Sequence, residues 1–514
     1  MSTFSAPSMR ELVEMQADKY GNKTFIKFVE NGQVREKSYL ALKNDSLCIC
    51  RYIRNLSDRK MHVAIIGKTN YSYLTCITGI LMSGSVLIPL AHDISGKEAS
   101  EILNRADVDV LFYDNNFNDG IDYVKKHCAN IKNFTSFDEI DDFEKIYWDY
   151  SDKSEFAHLS DFEVDKDECC AIIFTSGTTG VKNGVMLSSN ALIGNITYND
   201  YYPIFKEGES TLSVLPMHHV YCFSGDFIKN LKDGVTLCLN ESIGSLKNNL
   251  LTFQPHSMRV VPMIATHLLQ RIKTQYTRNP DMSKKEAAES VLGKNLKWLI
   301  SGGAYLNPEI VSDFEEYGIM IRQGYGMTEA GCRISVPDVK VSSKSVGRVI
   351  DICEVRVRGG EIQVNTPTKM IGYYKKEDAT KMAFTPDGWL RTGDVGEVTD
   401  DGQLFITGRV KNIIILSNGE NVSPEAIEKK LDALPTVEES MVYSKNDMLF
   451  ASIVPSKDFV SLYGIEDVKS EIEKSIDLIN SSAKPSHYIS GFDLRNEPFP
   501  KTETGKIKRN DLIF

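Results

Sequence analysis

The chain has 514 residues, 42% of them hydrophobic and 25% charged, a globular composition too long for a single core, so about three or four domain-sized units are expected. A formal net charge of −11 argues against a general nucleic-acid binder, which needs a basic face, so no nucleic-acid partner is expected and any phosphate ligand must be held by local donors. Its longest apolar stretch, residues 77–91, is broken by Ser83, Gly84, Ser85 and Pro89 and falls short of the roughly 20 apolar residues of a membrane span.

The first seven residues lack a charged segment followed by an apolar one, so no signal peptide is expected. Ser8 and Glu11 form a capping box that opens a helix running toward Gly21. Residues 24–28 read as a strand. Residues 63–67, a helix over 73–82 and residues 86–90 then read as strand, helix and strand, and a helix over 98–106 with a strand over 110–113 repeats the pattern. Such alternation predicts an α/β fold with layered, largely parallel strands. Residues 114–165 are acidic and weakly patterned. The ten cysteines include no CxxC pair and no Cys/His cluster at zinc spacing; they read as buried reduced thiols, which fits a reducing compartment and a cytoplasmic location.

An apolar run from Ala171 to Phe174 then reads as a strand buried on both faces. It delivers Thr175, Ser176, Gly177, Thr178, Thr179 and Gly180, followed by Val181, Lys182, Asn183 and Gly184. Glycines let successive N–H groups point one way and hydroxyls add neutral donors, which is the chemistry of a phosphate cradle. It is not a Walker loop, because neither Gly177 nor Gly180 is followed at the required spacing by Gly-Lys-Ser/Thr.

Beyond Pro216, His218 and His219 an apolar helix is predicted from Cys222 to about Leu231, with Asp226 on its surface. Residues 296–300 read as a strand ending in Ser301, Gly302, Gly303 and Ala304. Asn307 caps the next helix, Pro308 starts it and Gly318 stops it. A strand at 319–321 leads into Gly324, Tyr325, Gly326, Met327, Thr328 and Glu329. Two strands of one α/β pattern thus deliver glycine-rich loops at their carboxyl ends, where open sheets bind ligands. Glu329 stands where a dinucleotide fingerprint needs its third glycine; a carboxylate beside a phosphate cradle suits Mg²⁺ instead. From about residue 345 short alternating strands and turns at Asp387-Gly388 and Asp401-Gly402 predict a β-rich part, and the last hundred or so residues are enough for a small core of their own.

Five stretches in one order then point to a family: Thr175-Ser176-Gly177-Thr178-Thr179-Gly180; Tyr325-Gly326-Met327-Thr328-Glu329; Gly388-Trp389-Leu390-Arg391-Thr392-Gly393-Asp394; Gly408-Arg409-x-Lys411; and Pro500-Lys501-Thr502-x-x-Gly505-Lys506-Ile507-x-Arg509. Together they closely resemble the signature motifs of the AMP-forming adenylating superfamily, which comprises acyl-CoA synthetases, peptide-synthetase adenylation domains and luciferases. The resemblance covers nearly the whole chain. It implies a large N-terminal domain over 1–408, made of two α/β subdomains and a small β-rich subdomain at about 340–408, and a small, mobile α+β C-terminal domain over 409–514.

It also implies ATP, Mg²⁺ and coenzyme A as cofactors or co-substrates, and a two-step reaction: a carboxylate attacks the α-phosphate of ATP, and a thiol then takes the acyl group from the adenylate. By position, Thr175 to Gly180 with Lys182 would hold the β- and γ-phosphates, with Thr178 and Glu329 serving the metal. Thr328 would bond the α-phosphate. Gly302, Gly303, Ala304, Tyr325 and Gly326 would flank the adenine, and Asp394 with Arg409 would take the ribose. Lys506 would bridge carboxylate and α-phosphate, Lys411 would stand at the hinge of domain alternation, Gly419 would lie against the pantetheine arm, and His219 would sit at the acyl-pocket entrance. One departure stands out: the family's loop lysine is replaced by Asn183, with Lys182 one place earlier.

The motif style around residues 408–428 and 494–500 looks most like fatty-acyl-CoA ligases, so the leading expectation is a medium- or long-chain fatty acid joined to coenzyme A. The alternative is a stand-alone enzyme loading a fatty, aryl or amino acid onto the phosphopantetheine of an acyl or peptidyl carrier protein, Asp226 being the candidate partner for an amino group. A remoter alternative, prompted by Asn183, is a non-catalytic nucleotide-binding relative. Nothing in the sequence predicts a transmembrane segment; peripheral membrane contact stays open.

Overall fold

A computed structural model describes residues 6–140, 164–175, 182–197, 206–416, 420–501, 507–509 and 512. The first helix, Met9–Tyr20, starts as its capping box requires: Glu11 N donates to Ser8 Oγ (3.2 Å), and Ser8 N to Glu11 Oε2 (2.6 Å).

Among the described residues two seven-stranded sheets carry the large domain. In spatial order the first comprises Met320–Gln323, Trp298–Ser301, Ser257–Val260, Ser210–Ser213, Thr236–Leu239, Thr24–Glu30 and Gln33–Ser38, all parallel neighbours except the final hairpin. The second runs Gly372–Tyr373, Asn183–Ser188, Cys169–Thr175, Val86–Leu90, His62–Ile66, Val110–Tyr113 and Asn133–Ser136, parallel from Cys169–Thr175 onward and antiparallel on its other side. The Ala171–Ile173 segment is buried, as a strand with no polar interruption should be. Helices Tyr39–Leu56 and Tyr71–Met82 share one hydrophobic cluster with residues of both sheets, among them Ile26, Leu237, Val63 and Ile65. Gly79 permits this packing: a Cβ there would lie 2.5 Å from Ile49 Cβ.

Antiparallel sheets follow, one of Tyr325–Met327, Cys332–Val336 and Arg348–Val349, and one of Glu354–Arg358, Glu361–Asn365, Leu390–Val398 and Leu404–Arg409. The small C-terminal part closes a core of its own around Leu431, Ile453 and Ile472, all fully buried. It touches the large domain through polar contacts. Ser423 Oγ donates to Thr407 O (2.9 Å), and Lys429 Nζ donates to Ile406 O (2.8 Å) while lying 4.1 Å from the Tyr305 ring centroid.

Two expectations need correction. The weakly patterned stretch after residue 114 contains a helix, Asn118–His127, and an edge strand, Asn133–Ser136, paired in parallel with Val110–Tyr113. The helix buries only Ile121 and Val124, and the strand is four polar-rich residues long, so neither leaves an apolar period to read. Asp226 is not on a surface. It lies fully buried in a wide π-type turn, Phe223–Ile228, because the strands Ser210–Ser213 and Ser257–Val260 send Ser213 and Arg259 to meet it. Arg259 donates from a guanidinium nitrogen to Asp226 Oδ1 (2.7 Å) and Ser213 Oγ to Oδ2 (3.2 Å). All ten cysteines are free, and nine are buried. Among the described residues no helix is long and apolar enough to cross a membrane.

Candidate active site

The carboxyl ends of Cys169–Thr175, Trp298–Ser301 and Met320–Gln323 open on one cavity of about 1990 Å³. That exceeds the 300–1,000 Å³ usual for a single small ligand. It takes in Thr175, Lys182, Gly302, Gly303, Tyr325, Gly326, Thr328, Glu329, Arg409, Lys411 and His219, so the sequence-selected residues from three of the five motifs share one enclosure. Among the described residues Ala304 and Asp394 are not part of the wall. Ser176, Gly177, Thr178, Thr179, Gly180, Gly419 and Lys506 lie outside the described residues.

Asp394 is buried behind the wall. The Tyr325 hydroxyl donates to its Oδ2, Arg409 Nε lies 2.7 Å from its Oδ1, and its own N–H donates to Thr392 Oγ1 (3.1 Å). Each carboxylate oxygen therefore has one partner from within the protein and keeps a lone pair for a further donor such as a diol. Burial, reinforced by Asp394, pushes the Tyr325 hydroxyl well above its ordinary pKa, which keeps it a donor. Burial lowers the Lys411 ammonium pKa, with Arg409 adding repulsion. Gly326 and Gly302 are close-approach positions. A Cβ at Gly326 would lie 1.7 Å from Cys332 O, and one at Gly302 2.7 Å from Tyr221 Cζ, whose hydroxyl donates to Ile300 O at 3.0 Å.

Glu329 is held by a residue that the motifs do not mark: Tyr373 donates its hydroxyl to Glu329 Oε1 (2.9 Å). Burial raises the Glu329 carboxyl pKa, with its own backbone N–H, Tyr373 and Arg409 pulling the other way. A confined oxygen donor short of positive charge, next to the Thr328 hydroxyl on the wall, fits a hard divalent cation such as Mg²⁺. Two further groups escaped the sequence reading. His218 stacks at a tilt on His219 with ring centroids 4.2 Å apart; burial, with repulsion from His219, His92 and Lys182, keeps its pKa well below the ordinary value, so it is neutral. Lys376 reaches the cavity beside Asn183. Neither carries a local sequence signal, because each is placed by its neighbours in space.

The chain matches the AMP-binding enzyme family over residues 13–374, and the C-terminal domain of AMP-binding enzymes over residues 411–513. It belongs to that family. As a family member it is 28% identical over 383 residues to 4-coumarate–CoA ligase 3 of Oryza sativa subsp. japonica, covering 69% of this chain and 65% of that protein. It is 29% identical over 326 residues to the long-chain-fatty-acid–CoA ligase ACSBG1 of Rattus norvegicus, covering 54% of this chain and 45% of the other. The chain thus spans less than two thirds of the length of either curated relative. Its fold is that of the anthranilate CoA ligase AuaEII solved with anthranoyl-AMP, with a TM-score of 0.81 over 98% of this chain and 96% of that one at 17% identity.

The last motif of this family member is anchored through Arg509, which donates to Glu428 and to Val442 O (3.3 Å). Burial raises the Glu428 carboxyl from 4.5 to about 7 against the pull of Arg509. With a raised pKa, the folded state binds a proton that the unfolded chain lacks, so this group's contribution to stability declines as pH rises through that window. Thermal unfolding of wild type against Glu428→Gln should therefore show the wild type's advantage shrinking from about pH 5 to about pH 7. An advantage that stays flat over the same range would mean that Arg509 keeps Glu428 ionised throughout.

Proposed function

We propose that this protein activates a carboxylic acid with ATP, as an acyl-adenylate with release of pyrophosphate, and then transfers the acyl group to the thiol of coenzyme A. The observation that carries the reading is the single cavity whose lining includes both the nucleotide-type residues Gly302, Tyr325, Thr328 and Glu329 and the apolar residues Val214, Leu215, Val220, Cys222, Val261 and Ile300. A nucleotide and an apolar acid can then meet inside one enclosure, which converts a two-body encounter into an oriented one.

On this reading Thr328 donates to the α-phosphate. Lys506 arrives from the C-terminal domain to offset the charge that builds up as carboxylate and phosphate approach. Glu329 and Thr178 would hold Mg²⁺, which supplies positive charge to the polyphosphate when bound. Asp394 takes the ribose hydroxyls on its remaining lone pairs, and Gly302, Gly303 and Gly326, with Ala304 next in the chain, flank the adenine. Lys411, just past the proposed domain border at 408/409, is the pivot, Gly419 lies along the pantetheine arm, and His219 stands at the entrance for the acid.

The acid we propose is apolar, a medium- or long-chain fatty acid first and an aryl acid second. An amino acid is disfavoured because Asp226, the candidate for its ammonium, is already paired with Arg259 and Ser213. Pyrophosphate release over a panel of fatty, aryl and amino acids, with Mg²⁺ and with or without coenzyme A, tests this. Release that needs an apolar acid, rises with coenzyme A and collapses in Lys506→Ala is expected. An adenylate that coenzyme A does not discharge points to a carrier protein, and ATP binding without turnover across the panel would overturn the reading.

A further inference from the structure

Asn183 stands where the family motif carries lysine, and the two lysines around it are in different electrical situations. Lys182 Nζ lies 2.9 Å from Glu98 Oε1, on the helix Gly96–Arg105, so its charge is already compensated. Lys376 Nζ donates to Asn183 Oδ1 at 2.7 Å. An amide oxygen fixes an ammonium group without cancelling its charge, and among the described residues Lys376 forms no ion pair with a carboxylate. Lys376 and Asn183 both line the cavity, together with Thr175 at the start of the hydroxyl–glycine stretch.

Backbone pairing puts Lys376 there. Gly372–Tyr373 lies antiparallel to Asn183–Ser188 with Tyr373 opposite Val185, and Tyr374 N donates to Gly184 O (2.8 Å), which brings the following residues level with Asn183. Lys376 N then donates to Tyr373 O (3.1 Å), and Lys376 O accepts from Thr380 N (3.0 Å) and Thr380 Oγ1 (2.9 Å). Thr380 Oγ1 in turn accepts from Tyr373 N (2.8 Å). The root of the side chain is fixed before its tip reaches Asn183. The same short strand carries Tyr373 to Glu329. A lysine at 183 would bring a second ammonium against the first, so lysine at 183 and lysine at 376 are alternatives at this spot.

We propose that Lys376, oriented by Asn183, is the cation that meets the β- and γ-phosphates of ATP in this protein. This deepens the proposed function and rests on it for the identity of the anion. A lysine suits the task, since a polyphosphate asks for a mobile point charge as readily as for a planar fork. Asn183 is then a positioning residue, and the departure at 183 moves the charge to a neighbouring strand without removing it.

The test is calorimetric binding of Mg·ATP, of inorganic pyrophosphate with Mg²⁺, and of AMP to the full-length protein, none of which needs the acid to be known. Lys376→Ala should weaken Mg·ATP and pyrophosphate by about 10-fold or more, the scale of one charge-assisted hydrogen bond, and AMP by less than about 2-fold, since AMP lacks the β- and γ-phosphates. Lys376→Arg should keep most of the affinity, Lys182→Ala should lose less than Lys376→Ala, and Asn183→Lys should restore binding in a Lys376→Ala background. Equal losses for AMP and ATP, a larger loss from Lys182→Ala, or no rescue by Asn183→Lys would each overturn the proposal. A wild-type protein that binds none of the three ligands would instead overturn the proposed function.

Discussion

Glu329→Gln is expected to lower pyrophosphate release by about 10²–10³-fold, the usual loss when one preorganised electrostatic group is removed from a site of developing charge. Glutamine keeps the shape and can still accept from Tyr373, so the loss isolates the carboxylate charge. Burial raises the Glu329 pKa, and only the ionised form holds a divalent cation. Protons and Mg²⁺ therefore compete, and the Mg²⁺ concentration for half-maximal release should climb as pH falls. Tyr373 donates to the charged form and holds the pKa down. Tyr373→Phe should then move the acid limb of the pH profile to higher pH and cost about 10–100-fold in Mg²⁺ affinity, the range for a lost partner of a metal ligand. A Glu329→Gln enzyme with unchanged Mg²⁺ dependence would remove the metal from this residue.

Arg259→Met is expected to destabilise the large domain by about 3–5 kcal/mol, because it strands a fully buried carboxylate. The Asp226 pKa is already raised by burial, with Arg259 as the largest opposing influence. Removing Arg259 sends that pKa higher still, and Asp226 becomes a neutral acid with only Ser213 to bond. Replacing the pair together, Arg259→Met with Asp226→Leu, should recover most of the loss, since apolar side chains of similar volume commonly substitute for a buried ion pair at little cost. Denaturant unfolding followed by tryptophan fluorescence distinguishes the outcomes. A double variant as unstable as the single would show that packing at residue 259, not charge, carries the effect.

The elements visible in the sequence were those with a strong local period or cap. Ser8 and Glu11 announce the first helix, Asn307 and Pro308 announce Pro308–Glu316, and the uninterrupted apolar run announces Cys169–Thr175. Two short elements after residue 114 were not visible, because an edge position buries few side chains and exerts little demand on composition. The glycine and hydroxyl motifs pointed to the cavity residues because backbone approach to a phosphate restricts residue type at fixed spacing. Tyr373, Lys376 and His218 answer to no such restriction. Their places follow from the register of Gly372–Tyr373 on Asn183–Ser188 and from the meeting of remote loops. Asp226 shows the converse error. A single carboxylate in an apolar helix reads as surface until Arg259, 33 residues further on, is seen to cover it.

The few hydroxyl and ammonium contacts between Ser423 or Lys429 and the edge of the large domain have a thermodynamic consequence. Water can replace each of them, and a solvent-exchangeable hydrogen bond is worth only about 0.5–1.5 kcal/mol net. Among the described residues these contacts contribute only a small free energy, and the C-terminal part closes its apolar core around Leu431, Ile453 and Ile472 without drawing on the large domain. A ligand that favoured one orientation of this domain over another by about 1.4 kcal/mol would shift the balance between them tenfold.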